Sequence, residues 1–333
     1  MELPPRAGGR GAGGVCGWGE YAEAAAALRP TLSAPPRLPL DRCPGLSADA
    51  LLSIHSQECK LQMRQSFGFH RRPEQQREYA ERWRAGESLE SICETANLPP
   101  CHLVRFVGAS LLGLTPAEIS RLLRQPREFL CEAKAALVDA RTGPGGAERL
   151  LDDVRRACAA DCVSSPATST AQRVAGLEHE ALLLQKLRAA GVAFWTEDQL
   201  RARGALKTPD VQLKVPIAVW GRVVTWIDSK ASFGSESSYR LEGRDQFQKY
   251  VNRIGPGLVI YWFGLVEGLG AGDGDVLLLG DFPPPEAISV LKTLPECGSV
   301  REAAGQGNEI EGRELPGVES MGGIGREARG GDR

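Results

Sequence analysis

The chain has 333 residues, 42% of them hydrophobic, and a formal net charge of −2, so it can bury the cores of two domains but carries no global basic signal for nucleic acid. Any polyanion site must therefore be a local patch. Nine cysteines fall at irregular spacing without a CxxC, which argues against a structural zinc site and for reduced thiols inside a cell. No apolar run reaches the ~18 residues of a membrane span, and the first residues lack the apolar segment of a signal peptide.

Residues 1–45 are rich in Gly, Pro, Ala and Arg, a composition that predicts a largely disordered stretch. A helical region is expected over 46–165. Ser47 and Asp49 are helix-start signals for a segment over 47–66. Tyr79 and Trp83 share a face in a segment over 73–86. Glu87-Ser88 opens a helix with Leu89, Ile92 and Cys93 on one side, and Asn97 can end it. After Pro99-Pro100 comes a helix with Leu103, Val104, Phe106 and Val107. This helix, turn, helix arrangement resembles a helix-turn-helix unit, whose second helix would present His102 and Arg105 to nucleic acid. A purely structural or protein-binding bundle has the same pattern. Thr115-Pro116 caps a further helix with Arg121, Arg124 and Arg127 on a basic face. Helices over 132–139 and 147–162 follow, and the Ser/Thr-rich run 164–170 reads as a loop between two halves.

The second half, 171–296, is mixed. A helix over 171–190 bears Glu178, His179 and Glu180 and ends at Gly191. Val192 to Trp195 reads as a strand, and 197–203 as a short helix. Then Val211, Leu213, Val215, Ile217 and Val219 alternate with period two, the mark of a half-buried strand. Trp220-Gly221 marks a turn, and Val223 to Lys230 forms the return strand. Asp228 and Lys230 then share a face, with Asp210 as their partner at the start of the neighbouring strand. Two carboxylates beside an amine can hold a hard divalent cation and stabilise charge on a phosphate. The plainer alternative is a solvated ion pair. A loop over 232–238 precedes a helix over 240–253, which places Gln246 and Tyr250 on one face. Residues 258–263 form an apolar run suited to a central strand, 275–280 another strand, and 286–293 a last helix. The tail 297–333 has a disordered composition.

The order helix, three strands, helix, strand resembles the PD-(D/E)xK nuclease superfamily, with its restriction-endonuclease-like αβββαβ core. Pro209-Asp210 matches the PD element and Asp228-Ser229-Lys230 the (D/E)xK element. Glu180, or alternatively Glu178, matches the glutamate of the first core helix, and Gln246 and Tyr250 match a QxxxY element. The segments Lys207-Thr208-Pro209-Asp210, Ser229 to Gly234 and Asn252 to Trp262 are similar to the TPD family of codanin-interacting nucleases, over roughly 171–282. That family carries a glutamate where this chain has Asp228. The shorter arm shifts the ligand by about 1.5 Å.

The resemblance implies an Mg²⁺- or Mn²⁺-dependent nuclease with Asp210, Asp228 and Glu180 as metal ligands and Lys230 as the catalytic amine. It implies codanin as partner, a nuclear and cytoplasmic location, and roles in chromatin or histone handling and erythroid development. Arg240, Arg244 and Arg253 are candidates for holding phosphates or are plain surface charge. A competing reading keeps the nuclease fold as an inactive scaffold for codanin. Trp262, Phe263, Leu265 and Val266 are then candidates for a docking patch, or simply core. A third reading is a DNA-binding regulator acting through Arg105.

Overall fold

A computed structural model describes residues 14–28 and 32–290, all within one compact unit. The tail 297–333, read from composition as disordered, lies outside the described residues. The order begins with β1 (Val15–Cys16) and α1 (Trp18–Ala27), followed by α2 (Ala48–His70), α3 (Pro73–Arg84), α4 (Leu89–Ala96) and α5 (Pro100–Leu112). Next come α6 (Pro116–Arg124), α7 (Pro126–Phe129), α8 (Glu132–Thr142), α9 (Gly146–Ala160) and the long α10 (Pro166–Ala189). The sheet region holds β2 (Phe194–Thr196), α11 (Glu197–Ala202), β3 (Val211–Val219), β4 (Arg222–Lys230), α12 (Glu236–Ser238) and α13 (Arg244–Arg253). It closes with β5 (Gly257–Tyr261), β6 (Leu265–Val266), β7 (Val276–Leu279) and β8 (Ile288–Val290). The fold is thus mixed, with a helical N-terminal region and a C-terminal sheet, and α10, β2, β3, β4, α13 and β5 run in αβββαβ order.

Local chemistry sets most helix ends. Ser47, Ser88 and Ser165 each accept a hydrogen bond from a backbone N–H of the first turn, and Thr115 forms a reciprocal capping box with Glu118. Asn97 closes α4 in the left-handed region at φ 50°. The helical region buries one apolar cluster around Trp83, Ile92, Leu103 and Leu122.

The sheet order is β2-β3-β4-β5-β7, with β8 on the far part of β3. β2, β3 and β4 are antiparallel, whereas β4, β5 and β7 run parallel. The β3–β4 turn has Trp220 and Gly221 at φ 46° and 77° between the paired Val219 and Arg222. Two positive φ values in a two-residue hairpin match the strand twist. One sheet face packs Val211, Leu213, Ile227, Leu258 and Ile260 against Leu183 and Leu187 of α10. The other packs Trp226, Val259 and Tyr261 against Phe247 and Tyr250 of α13.

Several expectations are corrected. Residues 18–27, within the stretch expected to be disordered, are helical and bury Ala24. The loop expected at 164–170 is the start of α10, with Ser165 as cap and Pro166 in the first turn. Of the helix expected over 286–293, the described part is a short 3-10 turn, Pro285–Ala287, leading into β8, which pairs with β3, and 291–293 lie outside the described residues. The helix expected over 240–253 begins with a π-turn at Tyr239–Gly243. His102 and Arg105 do not present themselves as exposed readers. Both are half-buried on α5. The His102 ring packs 5.5 Å from Phe67, and Arg105 donates to the Ser164 carbonyl at 3.2 Å. α5 is a central helix of the bundle, so its side chains serve packing first. Of the suggested docking patch, Trp262, Leu265 and Val266 are buried and Phe263 is half-buried.

Candidate active site

The β3–β4 register pairs Val211 with Ile227 and Gln212 with Trp226, so its continuation sets Asp210 across from Asp228. Alternation along β4 puts Asp228 and Lys230 on the face of Trp226. The Asp210 carboxylate accepts the Ser229 backbone N–H at 2.7 Å. Asp228 is 1% exposed and touches the Lys230 ammonium at 2.5 Å. This is an ion-pair contact, because Asp228 Oδ2 has no hydrogen bond of sound geometry. The ammonium also lies 5.6 Å from the centre of the Phe247 ring.

The electrostatics follow from crowding in a dry place. Burial, and then the Asp228 charge, push the Asp210 carboxyl up to about 8, while the Ser229 N–H and Lys230 pull the other way. Burial alone would lower the Lys230 ammonium, but Asp228 and Asp210 outweigh it and the net shift is upward. Glu180 is half-buried and shifted upward by burial, by Glu197 and by Asp228. Glu178 is exposed and lines a groove with Arg124 and Val174 on the other side of α10. Of the two glutamates, Glu180 is therefore the one that feels the site.

A second network grips the Thr208-Pro209-Asp210 turn. Gln246 donates to the Tyr250 hydroxyl at 2.7 Å, and that hydroxyl donates to the Thr208 carbonyl at 2.8 Å. The Thr208 hydroxyl donates to Glu197 at 3.1 Å, and the Glu197 N–H donates to the Asp210 carbonyl at 3.0 Å. Arg253 donates to the Leu206 carbonyl. Arg240 pairs with Glu236 at 2.6 Å, and Arg244 is exposed. Gln246 and Tyr250 are thus brought to the site, whereas Arg253 and Arg240 hold other parts of this chain. Sequence reading missed Glu197 and the Ser229 N–H. The Thr196-x-x-Gln199 cap signals the start of α11, but nothing local shows that Glu197 lies beside Glu180.

The donor chemistry suits a hard cation with few protein ligands. Asp210 and Asp228 supply carboxylate oxygens, with Asp228 Oδ2 in its ion pair with Lys230, and Mg²⁺ commonly takes one or two carboxylates plus waters and phosphate. Among the described residues no group of three or more His, Cys, Asp or Glu side chains is placed to hold a metal ion. Among them, too, no helix is long and apolar enough to cross a membrane.

No solved structure matches the chain. Residues 146–282 match the family model described as protein of unknown function TPD sequence-motif. The CDAN1-interacting nuclease 1 of Danio rerio is 37% identical over 254 residues, covering 74% of this chain and 81% of that one. The Xenopus laevis protein of the same name is 35% identical over 84% of this chain and 89% of its own length. The Homo sapiens protein is 35% identical over 73% and 85%. With matches of this extent on both sides, the chain belongs to the CDAN1-interacting nuclease 1 family.

Proposed function

We propose that this chain is a metal-dependent nuclease that hydrolyses phosphodiester bonds of DNA or RNA and works in complex with codanin. The observation that carries the reading is the convergence of Asp210, Asp228 and Lys230 at one end of the β3–β4 hairpin. Asp210 and Asp228, with Glu180 beside them, would hold Mg²⁺ or Mn²⁺. Such an ion, when bound, would supply Lewis-acid chemistry: polarisation of the phosphate and a lowered pKa for a water. Lys230 orients an attacking water or neutralises charge on the phosphate as it becomes five-coordinate. Gln246 and Tyr250 hold the Thr208 carbonyl and so fix where Asp210 points. The names of the relatives support the nuclease activity and the codanin partnership. Location in nucleus and cytoplasm, and a role in chromatin handling and erythroid development, extend the same family reading.

One contact favours a second reading. Lys230 neutralises Asp228 inside the protein, as in a structural ion pair. On this reading the fold is a scaffold for codanin. The test is cleavage of labelled single strands, duplexes, flaps and four-way junctions of DNA and RNA, with Mg²⁺, Mn²⁺ or EDTA. Metal-dependent cutting by the unaltered chain, abolished in Asp210→Asn and in Lys230→Ala, is expected. A folded chain that binds codanin yet cuts nothing in the panel leaves the scaffold reading.

A further inference from the structure

The carboxylate face of the sheet is only partly covered. α13 packs on Trp226, Val259 and Tyr261, toward β4 and β5. Beyond it, the same face continues over β3 and the edge strand β2. Trp195 pairs with Gln212, which pairs with Trp226, so Trp195, Gln212 and Trp226 lie side by side on that face. Lys214, two residues after Gln212, points the same way. Trp195 and Gln212 are half-buried, whereas Lys214 and Arg203 are exposed. The Arg203 guanidinium lies 4.5 Å from the centre of the Trp195 rings and the Lys214 ammonium 5.7 Å away.

The edge strand has an anchor apart from this cluster. Phe194, on the opposite face of β2, packs into the sheet's core. Neither Arg203 nor Lys214 makes an ion pair among the described residues. Glu197 is engaged by Arg201 at 2.7 Å and by Thr208. An indole flanked by two exposed cations, two residues from Glu197 and along the strand from Asp210, has the composition of a strand-binding track. Nucleic-acid bases stack on aromatic faces, and cations beside them take the phosphates. Long flexible cations can leave the indole for phosphate, exchanging a weak exposed cation–π contact for a charge-assisted one. A duplex hides its base faces, so the ligand this favours is single-stranded.

We infer that Trp195, Arg203 and Lys214 form a track for single-stranded nucleic acid that leads into the Asp210–Asp228 site. The inference rests on the nuclease reading for the direction of the strand, but its test does not need cleavage. Binding of fluorescent 20-nucleotide DNA and RNA single strands, and of duplexes of equal length, is measured by anisotropy in EDTA across a salt series. Trp195→Ala is expected to weaken single-strand binding roughly tenfold. Trp195→Phe keeps a stacking ring and should lose much less. Arg203→Glu with Lys214→Glu should flatten the salt dependence, by about 0.7 in log–log slope for each phosphate left without its cation. Whichever of DNA and RNA depends more on Trp195 is the strand the track takes. If Trp195→Ala misfolds by circular dichroism, the charge-reversal pair decides. Binding unchanged in the folded variants, or a duplex bound as tightly with the same sensitivity, overturns the track. Trp195-dependent binding without cutting by any form would sink the nuclease reading and leave the track standing.

Discussion

Asp228 is buried and Lys230, half-buried, is the charge that neutralises it. Removing one member of such a pair strands the other in a dry environment, which typically costs about 3–5 kcal/mol. Lys230→Met is therefore expected to destabilise the metal-free protein by about that much. The double variant Asp228→Asn with Lys230→Met should recover most of the loss. Urea denaturation in EDTA measures both, and a single variant as stable as the unaltered chain rules out the buried-pair account. Loss of activity in a Lys230 variant is informative only beside this measurement, because an unfolded site also fails to cut. The His102 ring offers a pH test away from the site. Burial, followed by the Arg105 charge, lowers its pKa from the usual 6.5 to about 4. The unfolded chain then binds the proton more readily than the folded one between these values. The neutral ring's contribution is fully present above about 6.5, falls as pH drops toward 4, and changes no further below that. His102→Phe keeps a ring between Phe67 and Phe106 and cannot charge. Its melting temperature should fall less than that of the unaltered chain between pH 7 and pH 4. Parallel curves for the two proteins would contradict the assignment.

At the scale of elements, the site depends on two close fits. Gly257 of β5 faces Trp226 of β4, and a Cβ built there would sit 2.0 Å from the indole ring. Gly257→Ala must therefore displace a fully buried tryptophan that neighbours Asp228, and overpacking of this kind costs typically 1–3 kcal/mol or more. The Tyr250 hydroxyl is the other fit. Tyr250→Phe removes the link between Gln246 and the Thr208 carbonyl, with an expected cost of about 1–2 kcal/mol. If the link positions Asp210, kcat should fall while binding of substrate holds, and a kcat equal to that of the unaltered chain limits Tyr250 to packing.

What was legible in the sequence, and what was not, divides along the same line. The Trp220-Gly221 turn, the Asn97 stop and the Thr115 cap depend on a few adjacent residues, and each formed where its chemistry predicts. So did the placement of Asp210, Asp228 and Lys230, which follows from strand alternation. The errors arose where a distant element decides. Ser165-Pro166 reads equally as a loop or as a cap with Pro in the first turn, and packing of the 24-residue α10 settles it. Residues 288–290 become a strand because the outer part of β3 has a free edge. The α5 helix looked two-sided, yet the Ser164 carbonyl and Phe67 claim its polar side chains.

The family match over 146–282 does not mark out a piece that stands alone. β1 pairs in parallel with β6, joining Val15 to Leu265 and Cys16 to Val266. Phe233 and Val266, both fully buried, lie in a cluster with Leu28, Leu51 and Ile54 from the first two helices. The Tyr21 ring stacks on Phe233 at 5.9 Å. Gln57 of α2 donates to the Phe233 carbonyl at 2.7 Å and accepts from the Ser235 hydroxyl at 2.5 Å. Ser53 accepts the Phe233 N–H at 2.9 Å. The segment that follows Lys230 is thus held from the far end of the chain, and with it the approach to the candidate site. A fragment beginning at Gly146 would expose Phe233 and Val266 and take Gln57 and Ser53 away from the Phe233 backbone. It is expected to bind a hydrophobic dye and to lose a cooperative thermal transition. In the full chain, the milder change Gln57→Ala should cost about 1–3 kcal/mol and speed hydrogen exchange over 233–238, with little change in the β3–β4 ladder. A fragment that melts cooperatively at the full chain's temperature, or exchange over 233–238 indifferent to Gln57, would show that the sheet region holds the 233–238 loop by itself.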